Sequence, residues 1–238
     1  MAIEKVVLAE GLDGFYALPK GTGPFSVIVL FTEAFGLNED MLEGSAQKLA
    51  DAGFAVIAPD IFHGDIFDGS SFEPIMAKIK TIVDETVIEE ARQTVAWIKT
   101  RPELDADRVG GIGFCMGGRL AFLAHSELAD DFKATAAYYG GGIAPVEDRL
   151  GRKPLLDKVD AMKGALYLGY GADDQGITHE EHAKIVARLS EAKKRFEFQL
   201  FTGAGHAFLS QSRPNYCPEA AAEAWPVTFQ FFERHLGR

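Results

Sequence analysis

Short apolar runs alternate along the chain with longer segments whose apolar positions repeat at helical spacing. The apolar runs are rich in β-branched residues, which is typical of strands buried on both faces of a sheet. The longer segments are amphipathic and are typical of helices that cover such a sheet. We predict strands at 25–31, 54–60, 107–114, 132–140, 164–171 and 196–201, and helices at 38–53, 83–101, from 115, 178–194 and 218–236.

Strands that alternate with helices from residue 25 onward predict an α/β fold, with a mostly parallel sheet and helices on both faces. The segment 61–82 contains Gly64, Gly69 and Pro74 and is expected to begin as a loop. No repeat or linker divides the chain, so residues 1–238 are predicted to form one domain. Functional groups are expected where the parallel strands end, because open α/β sheets bind ligands at that edge.

The charge balance narrows the classes of partner. Lys and Arg number 24 against 35 Asp and Glu, a difference of 24 − 35 = −11, which disfavours a nucleic-acid partner. There are two cysteines, too few for a disulfide-stapled secreted protein. No window approaches the ~18 apolar residues of a membrane helix, and the first residues lack an apolar signal segment. We therefore expect a cytoplasmic protein without membrane contact, as a monomer or weak homodimer.

Cys115 lies in the segment GGIGFCMGGRLAF at 110–122, where a predicted strand ends and a predicted helix begins. A free cysteine is often only a small buried apolar residue. Gly111, Gly113 and Gly117 also approach the glycine-rich loop of dinucleotide-binding folds. That loop usually opens the first strand–helix–strand unit, and here the next strand lacks an acidic residue at its end to hold a ribose. A nucleotide-binding oxidoreductase is therefore disfavoured.

A nucleophile elbow is the third interpretation, since residues 113–117 follow the pattern G-x-S-x-G with cysteine in place of serine. Its flanking glycines remove side chains that would clash in the tight strand-to-helix turn, and Gly118 allows close helix packing. The helix N-terminus favours a thiolate at Cys115. The Met116 N–H would then point into an oxyanion site.

A nucleophilic cysteine needs a base, and the base needs a group that orients it. In α/β-hydrolases the chain order is nucleophile, acid, histidine. Asp173 and Asp174 follow one later strand and His206 follows another, so either aspartate could meet Cys115 and His206 at one edge of the sheet. This order favours the nucleophile over the core residue.

The other histidines and the second cysteine suggest no site. His179 and His182 lie three residues apart in THEEHAK, a charged segment that we expect to be solvated, and no third metal ligand is evident. Cys217 lies in a polar segment and is expected to be a bystander. We predict neither a metal nor an organic cofactor.

Five segments resemble the dienelactone hydrolase family of α/β-hydrolases, from about residue 14 to residue 235. They are LFTEAFGLN (30–38), FAVIAPDIF (54–62), GGIGFCMGGRLAF (110–122), GYGADDQGI (169–177) and GAGHAF (203–208). The cysteine elbow together with the first segment is the specific part of this resemblance. The aspartate and histidine segments alone would fit many hydrolases.

The resemblance implies a hydrolase of carboxylic esters or lactones that forms a thioester intermediate and needs no cofactor. It makes Cys115 the nucleophile and His206 the base. It selects Asp174 as the third member, because Gly171 and Ile177 bracket it at the family's spacing.

Two further roles come from the same resemblance. Glu33 matches a family glutamate that neighbours the cysteine and takes part in its activation. The N–H of Ala34 would be the second oxyanion donor, beside that of Met116.

The chain departs from the family at the arginines that hold the carboxylate of a dienelactone. The loop after the second buried strand has only Lys78 and Lys80 as cations, and Ser210 aligns with the second arginine, three residues before Arg213. We take these two lysines, Arg213 and Tyr139 as candidate substrate contacts. The departure argues against binding of dienelactone itself and leaves a broader ester or lactone specificity open. A separate alternative is a redox-sensing or small-molecule-binding protein built on a hydrolase scaffold, with Cys115 as a reactive thiol.

Overall fold

The computed structural model describes residues 3–145, 148 and 150–237. The strands are β1 (Ile3–Ala9), β2 (Leu12–Ala17), β3 (Phe25–Phe31), β4 (Ala55–Pro59), β5 (Leu104–Phe114), β6 (Phe132–Tyr138), β7 (Ala165–Gly171) and β8 (Phe196–Phe201). They form one sheet in the order β1-β2-β4-β3-β5-β6-β7-β8. Strands β3 to β8 pair in parallel, as the alternating pattern predicted, and the α/β-hydrolase fold is confirmed.

Strands β1 and β2 form an antiparallel hairpin that the sequence analysis did not predict. The hairpin is joined to the parallel part of the sheet through β2, which runs antiparallel to β4. Its outer strand is largely exposed, so it lacks the continuous apolar run by which we identified the buried strands.

In the described residues, six helices connect and cover the strands. They are α1 (Gln47–Asp51), α2 (Phe72–Ile79), α3 (Asp84–Ile98), α4 (Met116–Glu127), α5 (His179–Glu191) and α6 (Pro218–Leu236). A π-helical segment at Asp40–Ala46 precedes α1, and a 3-10 helix spans Leu156–Ala161. Helix α2 lies inside the segment that we expected to begin as a loop. None of the helices in the described part of the chain is both long and apolar enough to cross a membrane.

Two side chains of β6 show that helices cover both faces of the sheet. Thr135 forms a hydrogen bond with His125 of α4 at 2.9 Å, whereas Tyr138 contacts Thr228 of α6 at 2.5 Å. Positions 135 and 138 are an odd number of residues apart and therefore point to opposite faces. Helices α4 and α6 thus lie on opposite sides, with β5 and β6 buried between them.

Candidate active site

Cys115 occupies a strained turn between β5 and α4. Its backbone dihedrals are φ 55° and ψ −117°, in a region that non-glycine residues rarely adopt. A Cβ atom on Gly113 would run into the carbonyl oxygen of Gly117, and one on Gly117 would run into that of Phe31. A Cβ on Gly118 would strike the carbonyl oxygen of Tyr138. The three glycines therefore have the steric roles that the elbow pattern predicted.

Cys115, His206 and Asp174 form a continuous chain of contacts. The Nε2 atom of His206 lies 3.1 Å from the Sγ atom of Cys115, and its Nδ1 atom lies 2.7 Å from Oδ2 of Asp174. The other carboxylate oxygen of Asp174 accepts hydrogen bonds from the backbone N–H groups of Gly176 and Ile177, at 2.7 and 3.2 Å. The Asp174 side chain is fully buried, and its backbone partners fix its orientation towards the imidazole.

The same contacts determine the charge of the imidazole. Burial opposes the charged form of His206, but the Cys115 sulfur and the Asp174 carboxylate outweigh it and raise the pKa of His206 to about 11. Burial likewise acts to raise the pKa of Asp174, but the hydrogen bond and charge of His206 and the two backbone N–H groups bring it below its usual value. The arrangement suits an imidazolium held between the Asp174 carboxylate and the Cys115 sulfur.

Of the two aspartates that the strand-end argument left open, Asp174 contacts His206, while Asp173 is exposed at the cavity wall. Tyr139 is fully buried and packs the edge of its ring against His206, with ring centroids 5.4 Å apart. Its backbone also has a positive φ of 37°. Tyr139 therefore packs against the imidazole as part of the buried surroundings of His206.

Glu33 is buried directly after β3, with 1% of its side chain exposed. Its Oε1 atom accepts a hydrogen bond from Asn38 Nδ2 at 3.3 Å and lies 3.9 Å from Nη2 of Arg213. Burial raises the pKa of Glu33, while Asn38, Arg213 and His206 act against that rise. Glu33 thus stands in a buried polar cluster next to the active site, and its polar contacts among the described residues are with Asn38 and Arg213.

The two predicted oxyanion donors both line the active-site cavity. Met116 is the first residue of α4, where a helix leaves its N–H groups without partners inside the helix. Ala34 lies three residues beyond the end of β3, the strand next to β5. Their positions bring two backbone N–H donors from different elements to the wall that contains the Cys115 sulfur.

A cavity of about 950 Å³ opens in front of Cys115 and His206. Helix α2 contributes three apolar side chains to its wall, Phe72, Met76 and Ile79. Phe72 is 70% exposed, so it stands at the outer lip of the cavity rather than in its interior. Part of the segment 61–82 therefore forms part of the cavity wall.

The candidate substrate contacts Lys78, Lys80, Tyr139 and Arg213 are absent from the cavity wall formed by the described residues. Lys78 pairs with Asp65 at 2.7 Å, and Lys80 is exposed. The Arg213 guanidinium is stacked 3.4 Å from the centroid of the Phe35 ring. Sequence spacing placed these residues near the site but could not show which way their side chains turn.

Arg152 is the cation that the structure does place in the cavity wall, and the sequence analysis missed it. It is bound to Asp148, another wall residue. Nothing in the local sequence marks Arg152, because it reaches the site only through the path of the segment that follows β6. A cation in such a connection belongs to no motif of fixed spacing, so its place in the cavity wall cannot be predicted from the sequence.

The segment 178–184 is also more buried than expected. His182 packs between the rings of Tyr170 and Phe198, and Glu181 is 3% exposed. Burial lowers the pKa of His182. The expectation of a solvated face was therefore wrong for Glu181 and His182, which α5 turns towards the sheet, whereas the other residues of the segment are exposed as expected. Cys217, expected to be a bystander, lines the cavity.

Comparison with known proteins agrees with this geometry. Residues 12–236 match the model of the dienelactone hydrolase family. A carboxymethylenebutenolidase from Rhodococcus opacus is 33% identical over 219 residues, which cover 90% of this chain and 83% of the relative.

Solved structures show the same fold. A Klebsiella pneumoniae protein described as a dienelactone hydrolase superposes with a TM-score of 0.89 at 24% identity, covering 98% of each chain. An acylaminoacyl peptidase from Pyrococcus horikoshii covers all of this chain but 42% of its own, with a TM-score of 0.73 and 17% identity. The chain belongs to the dienelactone hydrolase family and is an ester or lactone hydrolase with the α/β-hydrolase fold.

Proposed function

We propose that this enzyme hydrolyses small carboxylic esters or lactones through a Cys115–His206–Asp174 triad and an acyl-thioester intermediate. One observation carries the proposal, the contact chain from Cys115 Sγ through both ring nitrogens of His206 to Asp174. A nucleophile whose base is oriented by a third buried group is the arrangement that covalent acyl transfer requires.

The thiolate of Cys115 attacks the carbonyl carbon of the substrate, and the C–S bond forms as the carbonyl π pair moves onto oxygen. The N–H groups of Met116 and Ala34 stabilise this oxyanion. Collapse of the tetrahedral intermediate breaks the ester C–O bond, and the His206 imidazolium gives its proton to the departing alkoxide. In a lactone the alcohol stays attached to the acyl group.

Deacylation uses the same residues in reverse. Neutral His206 removes a proton from water, and the resulting hydroxide attacks the thioester carbonyl. The second tetrahedral intermediate expels the Cys115 thiolate and leaves the carboxylic acid. Asp174 holds the imidazole in place and stabilises its charged form in both halves of the reaction.

Glu33 takes part in this scheme through its charge, as a buried carboxylate that influences the activation of Cys115. Its support is the burial of Glu33 directly after β3 and its charge interaction with His206, whose Nε2 atom contacts the sulfur. We also propose, from the composition, a cytoplasmic enzyme that acts on a small molecule as a monomer or weak homodimer.

The test is to trap the acyl-enzyme. Incubation with p-nitrophenyl acetate, followed by an acid quench and peptide mass spectrometry, should place an acetyl group on Cys115. Cys217→Ser is the matched control and should form the same adduct, since it keeps Cys115. Full esterase activity in Cys115→Ala, or an adduct on another residue during turnover, would contradict the proposal.

A further inference from the structure

Asp148 and Arg152 form a closely bonded ion pair inside the active-site cavity. Nε of Arg152 lies 3.2 Å from each carboxylate oxygen of Asp148, and Nη2 lies 2.8 Å from Oδ2. The Asp148 side chain is 6% exposed and that of Arg152 is 27% exposed. Among the described residues, the second terminal nitrogen of Arg152, Nη1, has no hydrogen-bond partner, so it can donate to a bound molecule.

Gly142 lies against this ion pair and leaves room for it because it has no side chain. A Cβ atom at Gly142 would lie 2.5 Å from Nη2 of Arg152 and 2.7 Å from Oδ2 of Asp148. Its φ of +81° is also one that side chains disfavour. The guanidinium and the carboxylate therefore fill the space that a side chain at position 142 would take.

Two buried charged residues fix the backbone on either side of the pair. Glu181 Oε1 accepts hydrogen bonds from the N–H groups of Ile143 and Ala144, both at 2.9 Å. Arg119, which is 1% exposed, donates to the carbonyl oxygens of Gly142 and Lys153 at 3.2 and 3.1 Å. The loop that carries the pair is thus held at both ends before any substrate arrives.

The charge around the pair is negative. In the part of the wall that the structure describes, Arg152 is the one Lys or Arg side chain, and the carboxylates are Asp148, Asp173, Asp174, Glu181 and Glu219. Burial acts to raise the pKa of Asp148, but hydrogen bonds from Arg152 and its backbone outweigh that and lower it, so Asp148 is charged and neutralises the arginine. A free carboxylate entering this cavity meets no uncompensated cation.

We propose that the Asp148–Arg152 pair is a specificity element that makes the cavity accept uncharged esters and reject substrates with a free carboxylate. The free N–H donor of Arg152 can bind a neutral hydrogen-bond acceptor on the substrate, while the Asp148 carboxylate repels an anionic substrate. The inference rests on the proposed ester hydrolysis at Cys115.

Asp148→Asn separates the charge of Asp148 from its structural role. Oδ1 of Asp148 accepts hydrogen bonds from the N–H groups of Leu150 and Arg152, at 2.8 and 3.0 Å, and an asparagine oxygen can keep both. The amide nitrogen would face Nη2 of Arg152 donor to donor and break that contact, while Oδ1 can keep its contact with Nε, so the guanidinium loses its charged partner. The variant should therefore retain the loop and gain an uncompensated cation in the cavity.

Arg152→Gln should change the substrate preference in the opposite direction. It leaves Asp148 without its neutralising partner, so discrimination against anions should increase. Glu219→Gln is the charge-matched control, because it removes one exposed carboxylate from the same wall without releasing a guanidinium.

The measurement compares kcat/KM for p-nitrophenyl hexanoate and p-nitrophenyl monoadipate, which have six-carbon acyl chains and differ in a terminal carboxylate. We expect wild type to prefer the hexanoate by about tenfold or more. Asp148→Asn should move the ratio towards the monoadipate by about tenfold, Arg152→Gln should move it the other way, and Glu219→Gln should change it less than about threefold.

A second readout does not depend on turnover. Iodoacetamide and iodoacetate alkylate thiolates and differ in charge, and peptide mass spectrometry distinguishes Cys115 from Cys217. The ratio of their rates at Cys115 should favour iodoacetamide in wild type and shift towards iodoacetate in Asp148→Asn. Equal ratios in wild type and Asp148→Asn, or an equal shift in Glu219→Gln, would overturn the specificity element. Hydrolysis of neither ester together with a shifted alkylation ratio would instead refute the proposed function and leave the anion discrimination supported.

Discussion

Replacing Asp174 by asparagine tests how His206 is held. Oδ1 of an asparagine can still accept the N–H groups of Gly176 and Ile177, so the local backbone should be retained. The amide NH₂ would then face Nδ1 of His206 at the position where a carboxylate oxygen now lies 2.7 Å away. Two donors cannot share that contact, so Nδ1 must become an acceptor and the ring proton must move to Nε2.

The expected loss follows from this change of tautomer. A neutral imidazole with its proton on Nε2 cannot take a proton from the Cys115 thiol, and the imidazolium loses one of the two groups that raise its pKa to about 11. General-base catalysis contributes roughly 10²–10⁴-fold in enzymes, and we expect kcat for p-nitrophenyl acetate to fall within that range. Alkylation of Cys115 by iodoacetamide at pH 6 should slow by at least about tenfold.

Asp173→Asn is the matched control, because the neighbouring carboxylate is exposed and lies outside the contact chain. It should retain kcat within about threefold, since an exposed charge is well screened. Circular dichroism and urea unfolding would verify that both variants fold. A folded Asp174→Asn enzyme with near wild-type kcat, or an Asp173→Asn enzyme that loses activity instead, would refute the assignment of Asp174.

Two further predictions concern stability. Arg119→Met removes a buried guanidinium that binds Asp84 at 2.6 Å and two carbonyl oxygens. Urea unfolding should show that the free energy of unfolding falls by about 3 kcal/mol. Arg188→Met, at an exposed ion pair, is the control and should lower it by under about 1 kcal/mol. Burial lowers the pKa of His125 from 6.5 to about 4, so between these values the unfolded chain binds the extra proton and stability falls as the pH falls. The difference of about 2.5 in pKa corresponds to roughly 3 kcal/mol. Between pH 7 and pH 4 the free energy of unfolding should therefore fall by roughly 3 kcal/mol more in wild type than in His125→Gln. Equal pH dependence in the two proteins would contradict this account.

The parallel sheet and the contact chain of Cys115, His206 and Asp174 could be predicted because each leaves a local signature. Buried parallel strands are continuous apolar runs, and the elbow needs glycines at fixed offsets from Cys115. The order of the acid and the histidine after the nucleophile then follows the order of the strands. These features depend on short stretches of sequence, and the structure agrees with them.

The substrate-facing wall could not be predicted in the same way. Arg152 reaches the cavity wall from the segment after β6 and Glu181 from the first turn of α5, and no periodicity records either position. Lys78 lies in the segment after β4 that was expected to contact the substrate, but its side chain turns to Asp65. Helix α2 was not predicted because glycines and a proline at 64–74 suggested an irregular segment. Pro74 is nevertheless tolerated within the first turn of that helix.

Helix α4 has consequences for how such an enzyme can change over time. Its residues from Met116 to Ser126 are all buried, although surface helices usually leave one side in water. Mutations there disturb packing in every direction, so the part of the chain that presents the sulfur has little freedom to vary. The cavity wall, by contrast, also includes α2 and the connection after β6, which contain none of Cys115, Asp174 and His206. New selectivity can therefore arise by exchange of these peripheral segments, while the reactive centre is inherited unchanged.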